Sequence, residues 1–161
     1  FNLGGAVYER GRKSPPAFRR ADYDRAETAY RRTLELSPNY GAAHSNLGAM
    51  YGNRNAPGDK DRALDALAAA VKLAPNEPTV RSNYGLAIQR TGDLKGALRE
   101  YEESIRLDPK HAAGYLHIGA VRELEGDIPG ARAMLKRAAE LDKAAYGAEF
   151  EKFQKRYPEP K

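Results

Sequence analysis

Large apolar side chains along this chain recur at intervals of three and four. Tyr84, Ile88, Leu94, Leu98, Tyr101 and Ile105 keep helical spacing on either side of a break at Thr91-Gly92-Asp93. That pattern predicts two helices joined by a tight turn. Gly92 and Gly126 suit a helix C-terminus, where positive φ is often needed. Asp93 and Asp127 suit the N-cap of the helix that follows. Nothing alternates with period two, so no strand is predicted. Near the end, Tyr146, Phe150, Phe153 and Tyr157 fall at spacings of 4, 3 and 4 among Glu149, Glu151, Lys152, Lys155 and Arg156. This predicts an amphipathic C-terminal helix.

The helix pair is one of four copies. NLGGAVY from Asn2, NLGAMYG from Asn46, NYGLAIQ from Asn83 and HIGAVRE from His117 align, each followed by a second segment opening near Arg25, Arg62, Gly96 and Gly130. Pro38, Pro75 and Pro109, separated by 37 and 34 residues, stop the second helix of the first three copies. The copies span about 1–40, 41–77, 78–111 and 112–145, with insertions at 12–21 and 56–58, and 146–161 remains as the terminal helix and tail. Four columns repeat: Gly4, Gly48, Gly85 and Gly119; Ala26, Ala63, Ala97 and Ala131; Tyr30, Leu67, Tyr101 and Leu135; Thr33, Ala70, Ser104 and Ala138. Paired helices approach closely only where one presents a small residue, and a large side chain one turn on fills the groove beside it.

On these columns the chain resembles the tetratricopeptide repeat (TPR) family over about nine-tenths of its length. The resemblance implies an all-α fold, an α-solenoid or TPR superhelix of four helix-turn-helix repeats. Because a solenoid end exposes an apolar face, the terminal helix is expected to cover it, the alternative being a helix that binds a partner. Departures are visible. His44 and Arg81 stand where a bulky residue is usual and only Tyr115 fits; Arg122 occupies a column otherwise holding Val7, Tyr51 and Ile88; Lys143 replaces the terminal proline. Phe1 falls inside a helix, so the numbered chain is expected to be a piece of a longer protein, or to pack its end on another subunit.

Composition supports helix. There are 27 alanines, only eight valines and isoleucines together, and no cysteine, which excludes thiolate metal sites and cysteine nucleophiles. No apolar run reaches membrane-spanning length, and the opening FNLGGAVYER does not read as a signal peptide. The net charge is +5. No nucleotide-binding or hydrolase motif is present, and no two of the three histidines have the spacing of a metal pair. The chain is therefore expected to be non-enzymatic, with no metal, cofactor or small-molecule substrate, and nucleic acid is disfavoured for want of a basic face with interleaved aromatics.

The family resemblance implies a protein-interaction scaffold whose first helices line a concave groove. The inward column is Asn2, Asn46, Asn83 and His117, similar to the asparagine ladder in the TPR superhelix of O-linked N-acetylglucosamine transferase. An amide both donates and accepts, so such a column suits an extended peptide backbone. Ser45, Ser82 and Leu116 stand before it, Ala49 and Leu86 one turn on, Asn53, Arg90 and Leu124 a turn further. A clamp for a C-terminal carboxylate is disfavoured at the positions of Ser45, Ala49, Thr79, Asn83, Ala113 and His117. Arg12, Lys13, Arg19 and Arg20 in the first insertion, made extended or turn-like by Ser14-Pro15-Pro16, are candidates for an acidic partner. Two alternatives remain: a structural subunit assembling head-to-tail, as a homo-oligomer or filament through the repeat ends, and the recognition module of a larger enzyme.

Overall fold

The computed structural model describes residues 16–159, which hold eight helices and no strand. They are α1 (Pro16–Leu36), α2 (Gly41–Arg54), α3 (Asp59–Leu73), α4 (Pro78–Gln89), α5 (Leu94–Leu107), α6 (Ala112–Leu124), α7 (Ile128–Leu141) and α8 (Lys143–Arg156). Asn2, Arg12, Lys13, Gly4 and the expected first helix of the first copy lie outside the described residues. The chain forms two compact units, Phe1–Pro75 and Asn76–Lys161.

In the first unit, α2 packs against both α1 and α3. Its core joins Tyr23, Ala26 and Tyr30 of α1 to Leu47, Met50 and Tyr51 of α2 and Ala63 of α3. One expectation fails in part here. The insertion at 12–21 is expected to be extended or turn-like around its prolines; residues 12–15 lie outside the described residues, and from Pro16 onwards the chain is already helical. Proline is well tolerated in the first turn of a helix, where its missing N–H would have no intrahelical acceptor.

In the second unit, α4 pairs with α5 and α6 with α7; α5 also packs on α6, α4 on α6, and α8 on α7. One core gathers Ala97, Tyr101, Ile118 and Val121; a second gathers Ala131, Leu135 and Phe153, with Phe150 and Tyr157 packed against it. Gly92 and Gly126 end their helices at φ 96° and 81°. Asp93, Asp127 and Asp142 cap α5, α7 and α8, accepting from the backbone N–H of Gly96, Gly130 and Ala145 at 2.8, 2.9 and 2.9 Å.

The departures from the family pattern acquire reasons. His44 Nε2 lies 2.9 Å from the Pro38 carbonyl oxygen, and Tyr115 Oη donates to that of Pro109 at 3.3 Å. An imidazole and a phenol thus serve equivalent carbonyls at the turns between successive copies. Arg122, in an apolar column, donates to the capping Asp127 at 2.8 Å.

Candidate functional site

In the second unit α4 packs on α6, and α6 faces α8 across a cleft. On α4, Asn83 and Leu86 are half-buried and Arg90 is exposed; on α6, Leu116, His117 and Ala120 are half-buried. Between α6 and α8 opens a cleft of about 370 Å³. Leu116, His117, Ala120 and Glu123 line it from α6, Tyr146, Glu149, Phe153 and Arg156 from α8, and Leu135 adds apolar surface from α7. Arg156 donates to Glu123 across it. Two of the four α6 lining residues, Leu116 and His117, belong to the column and its flanks singled out in the sequence.

His117 is the most perturbed group in this cleft. Its ring stacks on that of Tyr101, centroids 4.9 Å apart at 21°. Burial pulls its pKa down to about 4, assisted by the charges of His111 and Arg90. It is neutral at pH 7, with one donor and one acceptor nitrogen. Asn83 makes no side-chain hydrogen bond among the described residues, so its donors and acceptor are available to a ligand.

The remaining expected residues divide. Ser82 is buried, with 3% of its surface exposed, and its Oγ has no hydrogen-bond partner. Leu124 is 68% exposed at the end of α6. In the first unit Asn46 and Ala49 are half-buried and Asn53 exposed on α2, whereas Ser45 is buried at 6%. Arg19 and Arg20 fall on the first turns of α1, with Arg20 exposed.

A polar network in the first unit was missed. Asp59 is fully buried and takes both forks of Arg54, from Nε to Oδ2 and from Nη2 to Oδ1, each at 2.7 Å. Its Oδ2 also accepts the Ala56 N–H at 2.9 Å. Arg54 Nη1 continues to Glu27 at 2.7 Å, and Glu27 accepts from Tyr51 Oη at 2.8 Å and Arg31 Nε at 3.0 Å. Hydrogen bonds from Arg54 hold the Asp59 carboxyl below its ordinary range. Burial pushes Glu27 up, but the bonds from Tyr51, Arg54 and Arg31 outweigh it, and the net direction is down. The signal was present in the sequence: Asp59 stands four residues before Ala63, as Asp93 does before Ala97 and Asp127 before Ala131.

The sequence model of the tetratricopeptide repeat matches residues 17–78, 56–112 and 85–148. The chain belongs to the tetratricopeptide-repeat family. Its repeat fold is one that supports protein–protein interaction scaffolds. Among relatives, mouse protein O-mannosyl-transferase TMTC1 is 32% identical over 84 residues, which are 50% of this chain and 9% of that protein. The chain spans about a tenth of the length of this relative and its human counterpart. Among solved structures, residues 41 to the end of MamA from Desulfovibrio magneticus RS-1 superpose with a TM-score of 0.66 at 25% identity, covering 89% of this chain and 77% of that one. The first TPR of Spaghetti (RPAP3), bound to the HSP90 peptide SRMEEVD, gives 0.62 at 19% identity, covering 74% and 94%.

Proposed function

We propose that the chain is a non-catalytic scaffold that holds an extended polypeptide segment of a partner against the first-helix faces of its repeats. The observation that carries this reading is the cleft of about 370 Å³ between α6 and α8, where the neutral imidazole of His117 stands among apolar lining from Leu116, Leu135 and Phe153. Asn83, whose amide makes no side-chain hydrogen bond among the described residues, stands on α4, which packs on α6. Amide and imidazole supply backbone-directed hydrogen bonds, and the cleft accepts an apolar side chain, which is extended-peptide recognition with loose sequence preference. Asn46, half-buried on α2, offers the same chemistry in the first unit. Support comes also from RPAP3, whose TPR carries a bound peptide on the same fold. The small share of TMTC1 that the chain covers favours a second reading, in which this scaffold is the recognition part of a larger protein.

The test is a peptide library selected on the wild-type chain, with the enriched peptides retitrated against Asn83→Ala. Affinity should fall about fivefold, the worth of a typical hydrogen bond. Equal affinity for the two proteins removes Asn83 from the site.

A further inference from the structure

The first unit holds a second cleft, of about 550 Å³, between α1 and the α2–α3 turn. Arg20, Asp24, Arg54, Ala56, Pro57 and Arg62 line it. Among the described residues, three guanidinium groups line it beside one carboxylate. The state of each cation decides what the cleft can hold.

Arg54 is spoken for. Both its forks are held by Asp59 and its remaining nitrogen by Glu27, so it acts as a fixed wall. Asp59, in turn, has little left for Arg62, which stays 3.6 Å away with its side chain 53% exposed. Arg20 is exposed and makes no ion pair among the described residues. Asp24 lies 3.5 Å from Arg54 and faces solvent. Two guanidinium groups with spare donors thus stand at the rim of a cleft whose turn residues, Ala56 and Pro57, are apolar. In the sequence, positions 9–20 hold Arg10, Arg12, Lys13, Arg19 and Arg20 against Glu9 alone. Charge complementarity calls for an anionic occupant. A guanidinium matches a carboxylate in a bidentate fork, and the apolar turn suits the aliphatic stem of a glutamate.

We propose that this cleft docks an acidic segment of a protein partner, its carboxylates engaging Arg20 and Arg62. The site is independent of the α6–α8 cleft, and its lining lies within the first unit.

The experiment titrates fluorescein-labelled hexaglutamate against the whole chain at low salt. The double variant Arg20→Gln, Arg62→Gln should bind about tenfold more weakly, with an unchanged helical circular dichroism spectrum, because both side chains are exposed. Arg99→Gln, an exposed cation in the second unit, should bind like wild type. An equal loss in Arg99→Gln and in the double variant would mean that net charge alone attracts the peptide, and overturns the site. So would binding of inorganic phosphate or of phosphatidylserine-containing vesicles that depends on Arg20 and Arg62 while hexaglutamate shows none. Loss of hexaglutamate binding in Asn83→Ala with the double variant unaffected assigns the peptide to the second unit and equally overturns it.

Discussion

A methyl group added at Gly85 would lie 2.7 Å from Tyr101 Cε1 and 3.1 Å from the Ala97 carbonyl oxygen. The backbone oxygen cannot step aside, so Gly85→Ala must separate α4 from α5. It should destabilise the chain by about 1–3 kcal/mol, the usual cost of overpacking. Gly147 reads differently. Its added Cβ would meet only Lys143 Cγ, at 3.2 Å, on an exposed side chain. Gly147→Ala should stabilise α8 by up to about 1 kcal/mol, because alanine loses less backbone entropy in a helix. Urea titrations of the two variants check both signs. These residues were legible in part. The column of Gly48, Gly85 and Gly119 could be read from its repetition, because close helix approach leaves no alternative to a small residue. Asp59 could not be weighed in the same way. Its column was visible, but what distinguishes it from Asp93 is the three-residue insertion before it, which moves it from a cap into the reach of Arg54. Insertions change direction and depth, and neither is encoded in spacing.

Elements were the most legible scale, because amphipathic periodicity and proline stops act locally. The exception, α1, extends back to Pro16 because proline forbids helix only behind itself. The C-terminal helix was expected as a cover, and its packing supports that role. Phe153 is 2% exposed in a core with Ala131 and Leu135; the Arg132 guanidinium lies 5.5 Å from its ring centroid and also donates to the Tyr157 carbonyl oxygen. Phe153→Ala should cost about 3–5 kcal/mol. The loss should appear first as faster hydrogen exchange in α8, with α4 and α5 still protected, since terminal elements open at lower free energy than central ones. Uniform acceleration across α4–α8 would show instead that α8 is an integral part of the second unit's cooperative core. The apolar spacing of Tyr146, Phe150, Phe153 and Tyr157 indicated which face of α8 packs. It did not show that Tyr146 of that face, with Glu149 beside it, would form one wall of a cleft with His117, since that depends on how α8 is set against α6 and α7.

Across the whole molecule, acid should act on the two units at different pH. In the second unit, burial lowers the His117 pKa from 6.5 to about 4 and also lowers that of His111. A group with a depressed pKa binds its proton in the unfolded chain before it does so in the fold. Its contribution is therefore complete above pH 6.5 and drains away as the pH falls towards about 4. In the first unit the depressed groups are the carboxyls of Asp59 and Glu27. Their contribution persists until the pH drops below the ordinary carboxylate range of about 4, and is lost only as the carboxyls themselves protonate. The second unit should consequently weaken first. Thermal melts of wild type between pH 7 and 4 should show a falling midpoint that His117→Gln flattens and Asp59→Asn leaves in place. Below pH 4 the sensitivities should exchange: Asp59→Asn, already weakened, should lose less on further acidification than wild type. If His117→Gln keeps the full slope between pH 6.5 and 4, the imidazole is not the buried neutral group that the cleft requires, and peptide recognition in the second unit must rest on Asn83 alone.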